Sequence, residues 1–483
     1  MPTARLMRSA GLLLLATAGS AFNTQPTPRS PTPKATTSAA PAALSRPATT
    51  SVVGATALVA GTTIGAGILA LPAKTLEAGF GPSAIALVGS WAYMAATALL
   101  IAEVNVNTLC ATERKAVSIK SMAQETIGDV GTVSSSLAYP FIHYCLLIAY
   151  MLEGGKLLGE LAPSVAAFES SLGLPGAAGF AALGGGALLL GSEAQVDKAN
   201  SVFFIGVLVS FALLVGVGSS SIDPTYLAHA SPAAALPAIP VMVLSFTFHN
   251  VVPTIAYQLG CDLEKIKVAI LAGSAIPLAM FLLWNGVVLG AVPYDAAIGV
   301  AGTFDPLETL RASGETFGEI VRVFSLLAIV TSFIGFCYGL VDFYADVLNV
   351  DEKLAAQQQQ TAPLAVDEDA VVGEISGGLG DNRPLPVKAG LFALALLPPL
   401  AIATTGQSGL FFAALDNAGT YGILTLFGII PCSMAWSMRY GPEAEPFVPP
   451  ALPGGKLTLG AMIGGAVVVI GLEIAEKFGG AFA

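Results

Sequence analysis

The chain has 483 residues, of which 54% are hydrophobic and only 11% charged, whereas soluble globular proteins average about 25% charged residues. That composition excludes a water-soluble fold, and a net charge of −11 gives no footing for a nucleic-acid partner. Cys110, Cys145, Cys261, Cys337 and Cys432 are scattered singly, with no CxxC pair and no cysteine–histidine cluster. Neither a disulfide framework nor a metal site is indicated, and no cofactor is implied.

The first fifty residues read as an address. Arg5 and Arg8 precede an apolar run over 10–16 that is too short to span a bilayer. Gly19 and Ala21 then sit at the spacing of a signal-peptidase site, which gives a signal peptide over 1–21 and cleavage before Phe22. Residues 22–51 are rich in Ser, Thr, Pro and Ala, carry Arg29, Lys34 and Arg46, and no acid occurs before Glu77. This is transit-peptide composition. The order of signal, Phe and transit-like segment resembles the bipartite plastid presequence of algae with secondary plastids. The alternative is a plain secretory signal with a disordered linker, which would direct the protein to the plasma membrane or another endomembrane.

Residues 52–480 form the predicted membrane domain. A spanning helix needs about 20 mostly apolar residues. Such windows lie near 52–73, 83–107, 134–159, 176–192, 199–219, 237–258, 265–290, 319–341, 388–405, 408–434 and 457–475. When the loops are assigned alternately to two sides, fourteen Lys/Arg after the signal peptide fall on the side of the N-terminus. Five fall opposite: Lys74, Lys156, Arg311, Arg322 and Lys477. The positive-inside rule then puts the N-terminus on the cytoplasm-like face, which in an inner plastid envelope is the stroma. The loop 350–386, with its glutamine run over 357–360 and the acids Asp367, Glu368 and Asp369, reads as a disordered connector.

Two spans carry helix-breaking sequence. In GTTIGAGILALP (61–72), Gly61, Gly65 and Gly67 lie within seven residues, each costing a helix interior roughly 1 kcal/mol relative to Ala. A small-residue packing face would account for Gly61 and Gly65 equally well. The sixth window decides between these readings, because FTFHNVVPT (246–254) places His249, Asn250 and Pro253 inside a span, and Pro removes a backbone donor. Non-helical backbone is tolerated in a membrane only where it is buried in protein or lines a cavity. Interruptions at corresponding positions of two five-helix halves point to an inverted-repeat transporter with its site between them. The N–H groups of a half-helix suit a carboxylate, and freed carbonyls suit an ammonium, so a zwitterionic amino acid fits. The predicted substrate contacts are Gly61, Thr62, Thr63, Gly65, Ala66 and Gly67 with Ser245, Phe246, Thr247, Phe248, His249 and Asn250, and Tyr144 and Tyr338 as aromatic lining.

Five stretches resemble the tryptophan/tyrosine permease family of hydroxy and aromatic amino acid permeases. They are GATALVAGTTIGAGILALPA (54–73), WAYMAATALLIAEVNVNT (91–108), SFTFHNVVPTI (245–255), TSFIGFCYGLVDFYAD (331–346) and FFAALDNAGTYGILTLFGIIP (411–431). The resemblance implies an all-α polytopic membrane protein with about eleven transmembrane helices. It further implies a LeuT-type five-plus-five inverted repeat with helices 1 and 6 broken, and proton-coupled symport of tyrosine or tryptophan by alternating access. The presequence and the enlarged 350–386 loop depart from the bacterial pattern of that family.

Ionisable groups inside spans cost about 2.5–3.5 kcal/mol or more each, so Glu103, Asp342 and Asp416 are candidates for proton coupling or gating. His249 joins them because histidine titrates near neutral pH. For Glu103 a purely structural role is equally consistent, and Asp342 with Asp346 sits at a helix end. The fifth window contains no lysine that could stand in for a coupling cation, and sodium is not excluded. Two other readings compete: a transporter for another amino acid or amine, and a membrane protease. The latter rests on Gly378-Leu379-Gly380-Asp381, a GxGD placed in a hydrophilic loop where that chemistry has no membrane partner.

Overall fold

A computed structural model describes residues 48–65, 67–112, 117–171, 175–294, 306–312, 315–350, 353, 383–407, 409–442 and 444–479. The signal peptide, nearly all of the transit-like segment, Ala66, most of the 350–386 loop and its GxGD lie outside the described residues.

Every assigned element among the described residues is helical. Nine helices among the described residues are long and apolar enough to cross a membrane: Phe80–Thr112, Ile119–Leu161, Ala194–Ser221, Pro232–Gln258, Leu263–Ala291, Thr316–Val347, Leu385–Ala403, Leu410–Tyr440 and Gly455–Lys477. The bent pair Val52–Thr63 and Gly67–Thr75 and the shorter apolar helix Gly176–Leu190 complete eleven segments at the predicted places. Helices are the open-ended solution here because lipid offers no partner to backbone N–H and C=O groups. The fifth span starts earlier than its window, at Glu193, so the exposed Lys198 lies near the start of that helix. The third bends at Gly128, whose φ of 69° is closed to most side chains.

The chain falls into two compact units. The first holds Met1–Ile142, Ala212–Val321 and Phe412–Ala483, and therefore the first, second, sixth, seventh, tenth and eleventh spans. Its centre is the tenth, whose apolar window is buried along its whole length. That span is α-helical over Leu410–Asn417, π-helical over Ala418–Ile429 and α-helical again over Ile430–Tyr440. At Gly419 it meets the sixth span so closely that a Cβ would fall within the van der Waals shell of the Pro240 carbonyl.

The second unit holds His143–Phe211 and Arg322–Phe411, with most of the third, fourth, fifth, eighth and ninth spans. Aromatic edges knit it together: Phe180 against Phe333 at 5.3 Å and Tyr338 against Phe392 at 5.8 Å between ring centroids. Lys388 is buried and donates to the Gly191 carbonyl at 3.2 Å.

Candidate functional site

The first span is two helices. Val52–Thr63 ends in extended backbone at Ile64 (φ −76°, ψ 100°), and Gly67–Thr75 resumes at 57° to it. The sixth is likewise divided into Ile239–Ser245, a non-helical stretch at Phe246–Phe248, and Val252–Gln258 entered through one 3-10 turn. Pro253 does not itself make the break. It sits in the first turn of the second half, where its missing N–H costs nothing.

The two breaks touch. A Cβ built on Gly67 would stand 2.8 Å from Ser245 Oγ and 3.1 Å from Ser245 Cα, so the chains approach there at a distance only glycine permits. Trp284 of the seventh span donates through Nε1 to the Ile68 carbonyl at 3.0 Å, satisfying a group beside the break. Several polar groups around the breaks are committed locally. Thr62 and Thr63 donate to the Leu58 and Val59 carbonyls at 2.8 and 2.7 Å, and Ser245 donates to Val241 O at 2.8 Å. Thr247 reaches Val243 O at 3.5 Å. Gly61 lies inside the first helix, Gly65 lies in the break itself, and Asn250 is exposed.

The aromatic and ionisable candidates are divided between the two units. Phe246 is fully buried and packs on Phe281 of the seventh span at 5.2 Å, and Phe248 tilts against His249 at 5.1 Å. His249 is fully buried, shares a 2.8 Å hydrogen bond between Nε2 and Thr97 Oγ1, and stacks on Phe427 at 4.7 Å. Among the described residues no group hydrogen-bonds its Nδ1. Tyr144 and Tyr338 belong to the second unit. There Tyr144 donates to Leu394 O at 3.0 Å and meets Tyr344 Oη at 2.5 Å, while Tyr338 donates to Leu188 O at 3.0 Å. Asp342, in the same unit, accepts from Arg383 Nη1 at 3.1 Å.

Glu103 is held by a fork. Arg439 donates Nε at 2.7 Å and Nη2 at 2.5 Å, and Ala451 N donates at 2.6 Å. Asn107, one turn on, accepts from Phe447 N at 2.6 Å, so this end of the second span anchors the connection between the tenth and eleventh. Asp416 pairs instead with Lys74, Nζ to Oδ2 at 2.5 Å, across 342 residues of sequence. In the sequence Lys74 reads only as a loop charge, and Arg439 and Thr97 carry no local signal, because nothing near any of them names its partner. A cavity of about 360 Å³ lies away from the breaks, at the turn between the sixth and seventh spans, lined by Leu259, Cys261, Asp262, Lys265 and Val448.

Residues 48–473 match the model of the tryptophan/tyrosine permease family. The chain belongs to that family. The permease is therefore a multi-pass integral membrane transport protein and not an enzyme. It is 29% identical over 436 residues to the tyrosine-specific transport system 1 of Haemophilus influenzae, covering 88% of this chain and 97% of that one. It is 27% identical over 318 residues to a tryptophan-specific transport protein of Pseudomonas aeruginosa, covering 62% and 74%. In fold the permease is similar to a Na+-coupled sialic acid symporter solved in a substrate-bound outward-open state. That match has a TM-score of 0.51, 11% identity and coverage of 98% and 97% of the two chains. With the first and sixth spans both broken, this is the LeuT-type architecture.

Proposed function

We propose that this permease carries tyrosine, tryptophan or both across its membrane by alternating access, in symport with a proton. The observation that carries the reading is the meeting of the two helix breaks at Gly67 and Ser245. Broken helices leave backbone groups unpaired where the chain must line a cavity. The N-terminus of the nine-residue half-helix Gly67–Thr75 offers N–H groups to the amino acid's carboxylate. Aromatic specificity rests on family membership and on the tyrosine and tryptophan carriers among its relatives.

For the proton we favour His249 and Asp416 over Glu103 and Asp342. The latter two face arginines, which keep their charge in proteins. Asp416 is paired with Lys74 through Oδ2 alone, and among the described residues nothing hydrogen-bonds its Oδ1; the same pair ties the first span to the tenth and is suited to gate the site. His249 has one ring nitrogen unengaged among the described residues.

The acid-free N-terminal segment with Phe22 supports residence in a plastid membrane, the inner envelope being our choice. Fusing residues 1–51 to a fluorescent protein should send it to the plastid of an alga with secondary plastids; secretion of that fusion would refute the plastid reading.

The transport reading is tested by reconstituting the protein in liposomes with labelled amino acids. Tyrosine or tryptophan should be taken up and should compete with each other. Uptake of a polar amino acid such as glutamine, with neither aromatic carried, would overturn the substrate class.

A further inference from the structure

In and just before its π-helical middle, the tenth span holds buried polar groups that the site described above does not use. Asn417, Thr420 and Thr425 are 3%, 0% and 0% exposed. Among the described residues no group hydrogen-bonds Asn417 Oδ1, Thr420 Oγ1, Thr425 Oγ1 or the second carboxylate oxygen of Asp416. Buried polar atoms are almost always satisfied, and water is the usual partner where protein supplies none.

The helix type arranges them. In an α-helix of about 3.6 residues per turn, the nine steps from Asp416 to Thr425 make about two and a half turns, which would set the two side chains on opposite faces. Between Ala418 and Ile429 the ladder is π-helical. An i→i+5 repeat widens the turn, so that steps of four and five residues both return to nearly the same face. Asp416, Thr420 and Thr425 thereby form one row. Gly419 and Phe427 meet the sixth span at Pro240 and His249, and Gly422 meets the third at Ile142, so the row lies on another side of the helix. The charged groups facing its Asp416 end are Lys74 of the first span and Lys477 and Glu473 of the eleventh.

We propose that this row is a hydrated seam giving a proton access to Asp416 along the tenth span. The inference rests on the proton-coupled reading above and names its path. The proton arrives through water held by the Thr425 and Thr420 hydroxyls and binds Asp416 Oδ1. The carboxylate becomes neutral and Lys74 loses its counter-charge, which loosens the tie between the first and tenth spans. A sodium site fits less well, because a hard cation gathers its oxygens within about 2.3–2.6 Å of one point, whereas these groups extend over roughly 10 Å of helix.

The test uses full-length protein in liposomes loaded with a pH indicator. Three forms are compared: wild type, Thr420→Val/Thr425→Val and Thr420→Ser/Thr425→Ser. Three readouts are taken: exchange of labelled tyrosine or tryptophan without a gradient, accumulation driven by an imposed pH gradient, and internal acidification on addition of substrate. The valine pair, equal in volume but lacking hydroxyls, should exchange like wild type, fail to accumulate substrate above equilibrium and lose substrate-induced internal acidification. The serine pair should retain all three activities. Wild-type accumulation and acidification by the valine pair would overturn the seam, as would accumulation driven by sodium and not by pH. Absence of exchange in the wild type itself would instead mark failure of the transport reading, and the seam would fall with it.

Discussion

Gly67 shows how a single missing methyl shapes the site. A Cβ there meets Ser245 at both Oγ and Cα, and the backbone atom cannot rotate away as the hydroxyl can. Gly67→Ala should cost about 1–3 kcal/mol from overpacking. Glu103 makes a different kind of demand. Its carboxylate and the Arg439 guanidinium are 1% and 4% exposed, and removing one member of such a pair leaves a buried charge uncompensated. Glu103→Gln should lower stability in detergent by about 3–5 kcal/mol, and adding Arg439→Met should restore most of that loss. An unaltered melting temperature together with a shifted pH profile of transport would assign Glu103 to proton handling instead. Asp262 caps the seventh span from the loop, accepting from Glu264 N and Lys265 N at 3.2 Å each. The Lys265 side chain, foremost among its partners, holds its carboxyl below the ordinary value of 3.8. The folded form therefore binds this proton less readily than the unfolded chain. The cap's contribution is fully present above about pH 3.8 and lost as pH falls through the lower folded value. Asp262→Ala should cost about 0.5–2 kcal/mol near neutral pH, and the difference from wild type should shrink in melts taken below that window.

At the scale of the helix, the tenth span gives a graded series. Gly419 faces backbone of the sixth span, Gly422 faces the flexible side chain of Ile142, and Gly465 of the eleventh has nothing within 4 Å. Alanine should therefore be most damaging at 419, milder at 422 and neutral at 465, read as surviving folded protein after detergent extraction. Equal tolerance at 419 and 465 would contradict the packing described. The sequence announced the broken spans because Gly61, Gly65, Gly67 and Pro253 each carry a backbone penalty or a missing donor that reads locally. It did not locate the sixth-span break at Phe246–Phe248, since proline is as much at home in the first turn of a helix as after its end. Nor could AGTYGILTLFGI announce the π-helix over Ala418–Ile429, since nothing in those residue types distinguishes an i→i+5 ladder from an i→i+4 one. Nor does the sequence show that Phe246 packs on Phe281 of the seventh span, because the direction of one ring in a non-helical stretch depends on the packed fold.

For the molecule as a whole, hydropathy was enough to place the nine long apolar helices of the described residues and the bent first pair, because the bilayer leaves a chain few alternatives. The long-range pairs were not legible: Lys74 with Asp416 and Glu103 with Arg439 are separated by 342 and 336 residues, and only the packed fold brings them together. Those pairs belong to spans packed with the broken helices in the same unit, which is why transport is referred to the Gly67–Ser245 contact. The decisive measurement is equilibrium binding of labelled tyrosine and tryptophan to purified wild-type and Gly67→Leu proteins, each shown to be folded by its melting curve. Saturable binding by wild type and none by a folded Gly67→Leu is the predicted result; undiminished binding by Gly67→Leu would contradict a substrate site at the paired breaks.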